Sequence, residues 1–321
     1  MDCYDFLQFM SMALYSKWLL CVGLVVSAVS GAVESVWRAD LPAALAQAGR
    51  EDKHVLVDFT GSDWCAACIR LRRNILDSKD FMQWAGKQFV FVEVDIPRKA
   101  ILPAEQLEKN KAVAEAYGVS GFPTIMVLNA RGLVTGGFLG DVGQVDAAVA
   151  QLEKALRVSV LFDQAAELTG RGKAQALMDA YRLFPGGKAF AMHRDALEAE
   201  ILKHDPDNAT GLKDMLQVRE QAEQFEAERG AVPRHSAEYG LLIERQLAEA
   251  LEPNLAGVLM AKCQHVLGTA RSIDELEQAK RLLEQVIRLQ NPDEAKETQA
   301  YLERFFTDLP ALLRMLQQNR R

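Results

Sequence analysis

The chain is short of basic charge, proline and cysteine, and each shortage removes a class of protein. A formal net charge of −7 over 321 residues gives no support for nucleic-acid binding, because a phosphate backbone demands a basic face. Ten prolines and the lack of any low-complexity tract argue against long disorder. Long apolar runs are scarce too. The one at the N-terminus, Trp18 to Ala32 behind Lys17, is shorter than the roughly 20 residues that span a bilayer. Small residues crowd its end, where Ser30 and Ala32 suit a cut after Ala32, so residues 1–32 read as a signal peptide rather than a retained membrane tether. Asp2 and Asp5 are unusual so early in a signal, and a start at Met10 or Met12 would leave a more ordinary one. Cys21 follows Leu20 rather than a small residue, which speaks against a lipoprotein.

Five cysteines, minus Cys3 and Cys21 in that segment, leave Cys65, Cys68 and Cys263. One C-x-x-C pair and one lone cysteine cannot make a structural disulfide framework. A periplasmic or secreted location permits disulfide chemistry, and the pair is where it would sit. What the chain does have is core material: 49% hydrophobic and 25% charged residues describe globular protein. At roughly 150 residues per domain, the length predicts two domains beyond the signal.

The first half, 33–158, alternates helical and strand patterns. Asp40 is the expected N-cap of a helix over Leu41 to Gly49, with Pro42 in its first turn. Val55 to Phe59 and Phe89 to Asp95 read as buried strands. Helices are expected at Ala66–Leu76, Ser78–Trp84, Pro103–Tyr117 and Val142–Arg157. Two further strands, Thr124–Leu128 and Leu133–Leu139, are joined by a turn at Asn129–Gly132. The order predicts a mixed sheet flanked by helices, parallel at first and closing in an antiparallel hairpin. From residue 159 to 321 strand patterns vanish and helical spacing takes over. Ser272-Ile-Asp-Glu275 is a capping box before an expected apolar face of Ile273, Leu276, Ala279, Leu283 and Val286. Breaks at Pro185–Gly187, His204–Asn208, Gly230–Pro233, Pro253–Asn254 and Asn291–Pro292 predict an all-α domain of helical hairpins with weak tetratricopeptide-like character.

The chemistry concentrates in Val55-Leu-Val-Asp-Phe-Thr-Gly-Ser-Asp-Trp-Cys-Ala-Ala-Cys68, between a strand and a helix. Cysteines at i and i+3 on a first helical turn can close a small disulfide ring. The leading sulfur faces unpaired N–H groups and the positive end of the helix dipole. That favours the thiolate, the reactive form, by lowering its pKa from about 8.5 toward 7 or below. Cys65 is therefore the expected nucleophile and Cys68 the resolving thiol. Arg70, Arg72 and Arg73 add positive charge nearby, and Trp64 reads as a cap on the site.

Together, Trp64-Cys-Ala-Ala-Cys68 and Gly121-Phe-Pro-Thr124 resemble the thioredoxin superfamily, and the wider pattern resembles exported thioredoxin-like proteins of Gram-negative bacteria. The resemblance covers about Val36 to Arg157. It implies a thioredoxin-like α/β fold, a cis Pro123 beside the redox pair, and backbone groups of Phe122 that bind a substrate chain. It also implies that Asp58 is the buried acid accepting a proton from the resolving cysteine, where burial should raise its pKa. One extra residue separates this aspartate from the tryptophan, and Phe91 stands in the region where the family carries a lysine. Ala66-Ala67 places no histidine between the cysteines, so a reductase or isomerase is expected rather than a strong oxidant. No cofactor is implied. The expected partners are client proteins with thiols or disulfides and a redox partner that supplies or accepts electrons.

Blander readings stand beside these. The C-x-x-C could be half of a zinc site, although Cys263 and His265 are isolated in the helical half, or a merely structural pair. Asp63 reads as a solvated turn residue, and Cys263 as a buried small hydrophobe. The helical half could instead recognise a partner, making the protein a scaffold with a regulatory redox pair, or it could form a homodimer.

Overall fold

The computed structural model describes residues 36–99 and 102–318. The signal segment, with Cys3, Cys21, Met10 and Met12, lies outside the described residues. The chain divides into two compact units, one ending at Leu156 and the other beginning at Arg157.

The first unit is built on a five-stranded sheet. Its elements are β1 (Trp37–Arg38), α1 (Leu41–Glu51), β2 (His54–Thr60), α2 (Ala66–Leu71), α3 (Lys79–Ala85), β3 (Phe89–Asp95), α4 (Ala104–Ala116), β4 (Thr124–Leu128), β5 (Val134–Leu139) and the first part of α5 (Val145–Ala166), whose later residues belong to the second unit. The strand order is β1-β3-β2-β4-β5. β1 and β2 run parallel to β3, whereas β4 is antiparallel to both β2 and β5. β2 is central, and every residue from Val55 to Thr60 is buried. That explains a continuous apolar run rather than an alternating one. Leu56, Phe89, Phe91, Ile125 and Val127 from the sheet meet Leu71, Ile75, Phe81 and Leu152 from the helices in one core.

Local chemistry fixes the helix ends. The Asp40 carboxylate accepts from the Ala43 N–H at 2.8 Å, and Ser78 caps α3 through the Phe81 N–H. Gly137 has φ +143°, and a Cβ there would meet the Ile125 carbonyl oxygen at 1.9 Å. Only glycine lets β5 lie this close to β4.

In the first unit the structure departs from the sequence reading at β1, at the helix after Cys65 and at α5. β1 was not foreseen, since two residues carry no periodicity. The helix expected over Ala66–Leu76 is α only to Leu71 and widens into a π turn over Arg72–Leu76, in which the Asp77 N–H reaches back five residues to the Arg72 carbonyl at 2.9 Å. α5 starts at Val145, not Val142, and runs on to Ala166.

The second unit is helical throughout its described residues: α6 (Gly170–Leu183), a 3-10 turn (Lys188–Phe190), α7 (Ala191–His204), α8 (Leu212–Gly230), α9 (Ala237–Glu249), α10 (Glu252–Thr269), α11 (Ile273–Leu289), α12 (Pro292–Phe305) and α13 (Leu309–Gln318). Consecutive helices pack as pairs, α6 on α7 and α10 on α11, with α12 laid on α11. The Ser272–Glu275 capping box is formed. Leu276, Ala279, Leu283 and Val286 are buried, but Ile273, in the first turn of α11, is exposed. Pro253 sits inside the first turn of α10 and so starts a helix instead of breaking one. No helix among the described residues is long and apolar enough to cross a membrane.

Candidate active site

β2 delivers the chain to the rim of the sheet, and Gly61 to Trp64 turn it into α2. Cys65 is the N-cap of α2, with extended backbone, and its Sγ accepts the Cys68 N–H at 3.2 Å. The two cysteines are joined as a disulfide, their Cα atoms 5.2 Å apart. Placing Cys65 Sγ at the end of the helix aims unpaired N–H groups and the helix dipole at it, which favours a thiolate once the bond is reduced.

The turn before Cys65 is tied to the segment after β3. Ser62 donates through its N–H and Oγ to the Asp95 carboxylate, at 2.9 and 2.6 Å. Asp63, expected as a solvated turn residue, lies in the turn and accepts the backbone N–H groups of Arg98 and Lys99, at 2.9 and 2.5 Å. Trp64 Nε1 donates to the Ile96 carbonyl at 2.9 Å, and the Arg98 guanidinium lies 3.8 Å over its ring. A Cβ on Gly61 would fall 2.4 Å from that indole, so glycine is required for the tryptophan to lie down. Phe122 meets Trp64 edge to face at 5.8 Å, and the Phe122–Pro123 peptide is cis. Trp64 and Phe122 thus form one half-buried aromatic surface beside Cys65.

Behind the pair lies a cavity of about 340 Å³ lined by Asp58, Thr60, Cys68, Arg72, Asp77 and Glu93, among others. Asp58 is 3% exposed, and its Oδ1 has no hydrogen-bond partner among the described residues. An acid in the middle of the central strand contradicts the pattern around it, which is how functional positions announce themselves. Burial pushes its pKa up to about 7; Arg72 opposes this, while Glu93, Asp95 and Asp77 push it further up.

Arg72 was grouped in sequence with charges flanking Cys65. The structure turns it the other way. Its guanidinium donates to Asp58 at 3.4 Å, which is long for a charge-assisted bond, makes a much closer contact with Glu93, and reaches Asp77 at 3.2 Å. The Trp37 ring covers it at 4.2 Å. It therefore places a cation beside Asp58 from the π turn rather than from the strand that carries Phe91. Glu93 faces Asp58 because β2 and β3 pair in register, Asp58 opposite Glu93. The register was not readable from either strand alone. The spacing of Cys68 and Arg72, four residues apart on one helical face, was a usable signal for Arg72. Arg70 points outward to Asp141 at 3.1 Å. Cys263 is buried in the second unit, where burial pushes its thiol up to about 12.

Residues 41–156 match a family described as "Thioredoxin-like domain". The disulfide bond reductase DsbH of Chlamydia pneumoniae is 38% identical over 117 residues, spanning 36% of this chain and 69% of that protein. The thioredoxin-related protein DsbJ of the same organism is 28% identical over 94 residues, 29% of this chain and 27% of its own length. Among solved structures, a DsbH oxidoreductase aligns at 35% identity with a TM-score of 0.36, covering 38% of this chain and 83% of that one.

Proposed function

The chain belongs to the thioredoxin-like family as a thiol–disulfide oxidoreductase, and from that premise we propose that it is exported and reduces or isomerises disulfides of client proteins. The observation that carries this reading is the Cys65–Cys68 disulfide at the N-terminus of α2, its leading sulfur in the N-cap position.

In the reduced protein, the Cys65 thiolate attacks one sulfur of a client disulfide. The client S–S bond breaks, one client sulfur leaves as a thiolate that takes a proton, and Cys65 is held in a mixed disulfide. Cys68 then gives its proton to the Asp58 carboxylate, and its sulfur attacks Cys65 Sγ. The second client sulfur leaves with the electron pair of the broken bond and is protonated. The client has gained two electrons and two protons, and the Cys65–Cys68 disulfide remains. A dithiol redox partner must reduce it again. An acid ionising near pH 7 suits Asp58 to this exchange, because it can both take and release a proton at neutral pH. The aromatic surface of Trp64 and Phe122, with the backbone before Pro123, would hold the client chain.

The test is a pair of variants assayed with a disulfide-bonded protein and dithiothreitol. Cys65→Ser should abolish turnover, and Cys68→Ser should accumulate mixed disulfides with clients. No trapped client under conditions where the wild type turns over would refute the mechanism. The second unit, with its own cores around Leu283 and Ile243, favours an added role in recognising a partner or a second copy of the chain. Deleting residues 167–321, beyond the end of α5, should then leave reduction of a generic substrate intact while abolishing the cellular role. Sedimentation of the full chain as a monomer would remove the dimer.

A further inference from the structure

Arg72 is one cation among three carboxylates. From the π turn it faces Asp58 on β2, Glu93 on β3 and Asp77 beyond its own turn, with Trp37 of β1 covering its face. Arg72 bonds Glu93 through one nitrogen and Asp77 through another, while its contact with Asp58 is long, so its pairing is divided rather than given to the buried acid. Glu93 and Arg72 are each about one-quarter exposed, whereas Asp58 is sealed below them. Asp95 also stands on β3, and Arg73 and Cys68 line the same cavity.

We propose that Arg72 and Glu93 are positioning residues for Asp58: Glu93 draws the Arg72 guanidinium away from Asp58 and so fixes the pH at which Asp58 takes the Cys68 proton. This rests on the reading of Asp58 as the base for Cys68. An Arg72 paired fully with Asp58 would lock it as a carboxylate too weak to accept a proton. An Asp58 without Arg72 would stay protonated and could not accept one. The π turn matters because it lets the Arg72 carbonyl accept from the residue five positions on, with Asp77 placed there to bond Arg72 Nε. π-type turns inside helices recur at functional positions.

The charges make opposite predictions for the two partners, which a structural role would not. Carboxyl ¹³C NMR of the full-length oxidised protein, labelled at aspartate and assigned with Asp58→Asn, reads the ionisation midpoint of Asp58 directly. Arg72→Met should move that midpoint upward by about one to three pH units, the usual effect of losing an adjacent opposite charge. Glu93→Gln should move it downward, and Arg72→Lys should return it toward the wild-type value. The acid limb of the single-turnover rate of resolving the Cys65 mixed disulfide should follow each shift. If Arg72→Met does not fold, Glu93→Gln and Arg72→Lys decide the matter. Shifts in the same direction for Arg72→Met and Glu93→Gln, or no downward shift in Glu93→Gln, overturn the proposal. If the midpoints move as expected but Asp58→Asn resolves mixed disulfides at the wild-type rate at every pH, the base role of Asp58 fails while the positioning of its charge stands.

Discussion

Replacing Asp58 by asparagine should stabilise the first unit in alkaline solution and not in acid. The folded protein holds this carboxyl protonated up to about pH 7, whereas in the unfolded chain it ionises near 3.8. Between those values the native state binds the extra proton, so wild-type stability falls as pH rises through the window. Above it both states are ionised and the full penalty persists; below it neither is ionised and the penalty is absent. A gap of about three pH units, at ~1.4 kcal/mol each, sets that penalty at about 4 kcal/mol as an upper bound. Asparagine carries no such penalty, although its buried amide next to Arg72 costs about 1–3 kcal/mol at every pH. Arg72 is not orphaned, since Glu93 and Asp77 remain. The pH-dependent part is therefore the clean quantity. The variant's stability relative to wild type should rise by up to about 4 kcal/mol from pH 4 to pH 9, mostly below pH 7.

Urea unfolding of the oxidised protein reads this with little ambiguity. The four tryptophans are Trp18, Trp37, Trp64 and Trp84, so fluorescence reports nothing of the second unit. Carboxylates far from Asp58 contribute equally to both proteins and cancel; Glu93, Asp95 and Asp77, which share its field, do not. A difference that stays flat within about 1 kcal/mol from pH 4 to 9 would show that Asp58 is already ionised in acid and that burial does not dominate its environment.

Gly137→Ala should cost at least about 2 kcal/mol or prevent folding, because the new methyl meets a carbonyl oxygen rather than a movable side chain; thermal unfolding of the first unit measures it. Cys263, its thiol pushed up to about 12 by burial, should resist iodoacetamide at pH 8 in the reduced native protein and react in denaturant, as peptide mapping would show. The Cys65–Cys68 couple should equilibrate below about −180 mV, toward thioredoxin's −270 mV, because Ala66 and Ala67 offer no charge to stabilise the reduced form. Titration against glutathione or dithiothreitol, read by Trp64 fluorescence, checks it, and a value near −120 mV would refute it.

What could be read from the sequence was what depends on neighbours along the chain. β3 and β4 coincide with their apolar runs, Asp40 caps α1, and Ser272 with Glu275 forms its box, because each rests on contacts within a few residues. The redox pair was legible for the same reason: its chemistry needs only i, i+3 spacing and a helix start. Asp63 is the turn residue expected, but its anchoring was not legible, because its partners, the N–H groups of Arg98 and Lys99, are 35 and 36 residues away. β1 escaped because two residues gain their strand character only from pairing with Phe91 and Val92.

The charge cluster behind Cys68 lies between these cases. Asp58 was visible as an acid in an apolar run, and Arg72 lies one turn beyond Cys68, but nothing local joins either to Glu93. That link needs β2 and β3 to pair with Asp58 opposite Glu93, which apolar runs buried on both faces leave open. A slip of two would place Phe91 or Asp95 opposite Asp58 while leaving every apolar residue on its proper face. With Phe91 there, Arg72 would lose Glu93 and be shared between Asp58 and Asp77 alone. With Asp95 there, an acid would still face Asp58, but Asp95 could no longer hold the Ser62 turn through its hydrogen bonds. The observed register alone puts Glu93 at the cavity and Asp95 at the turn. One pairing choice thus sets both the ionisation of the acid behind Cys68 and the anchoring of the turn that presents Cys65, so a substitution that shifted it would damage both thiols together.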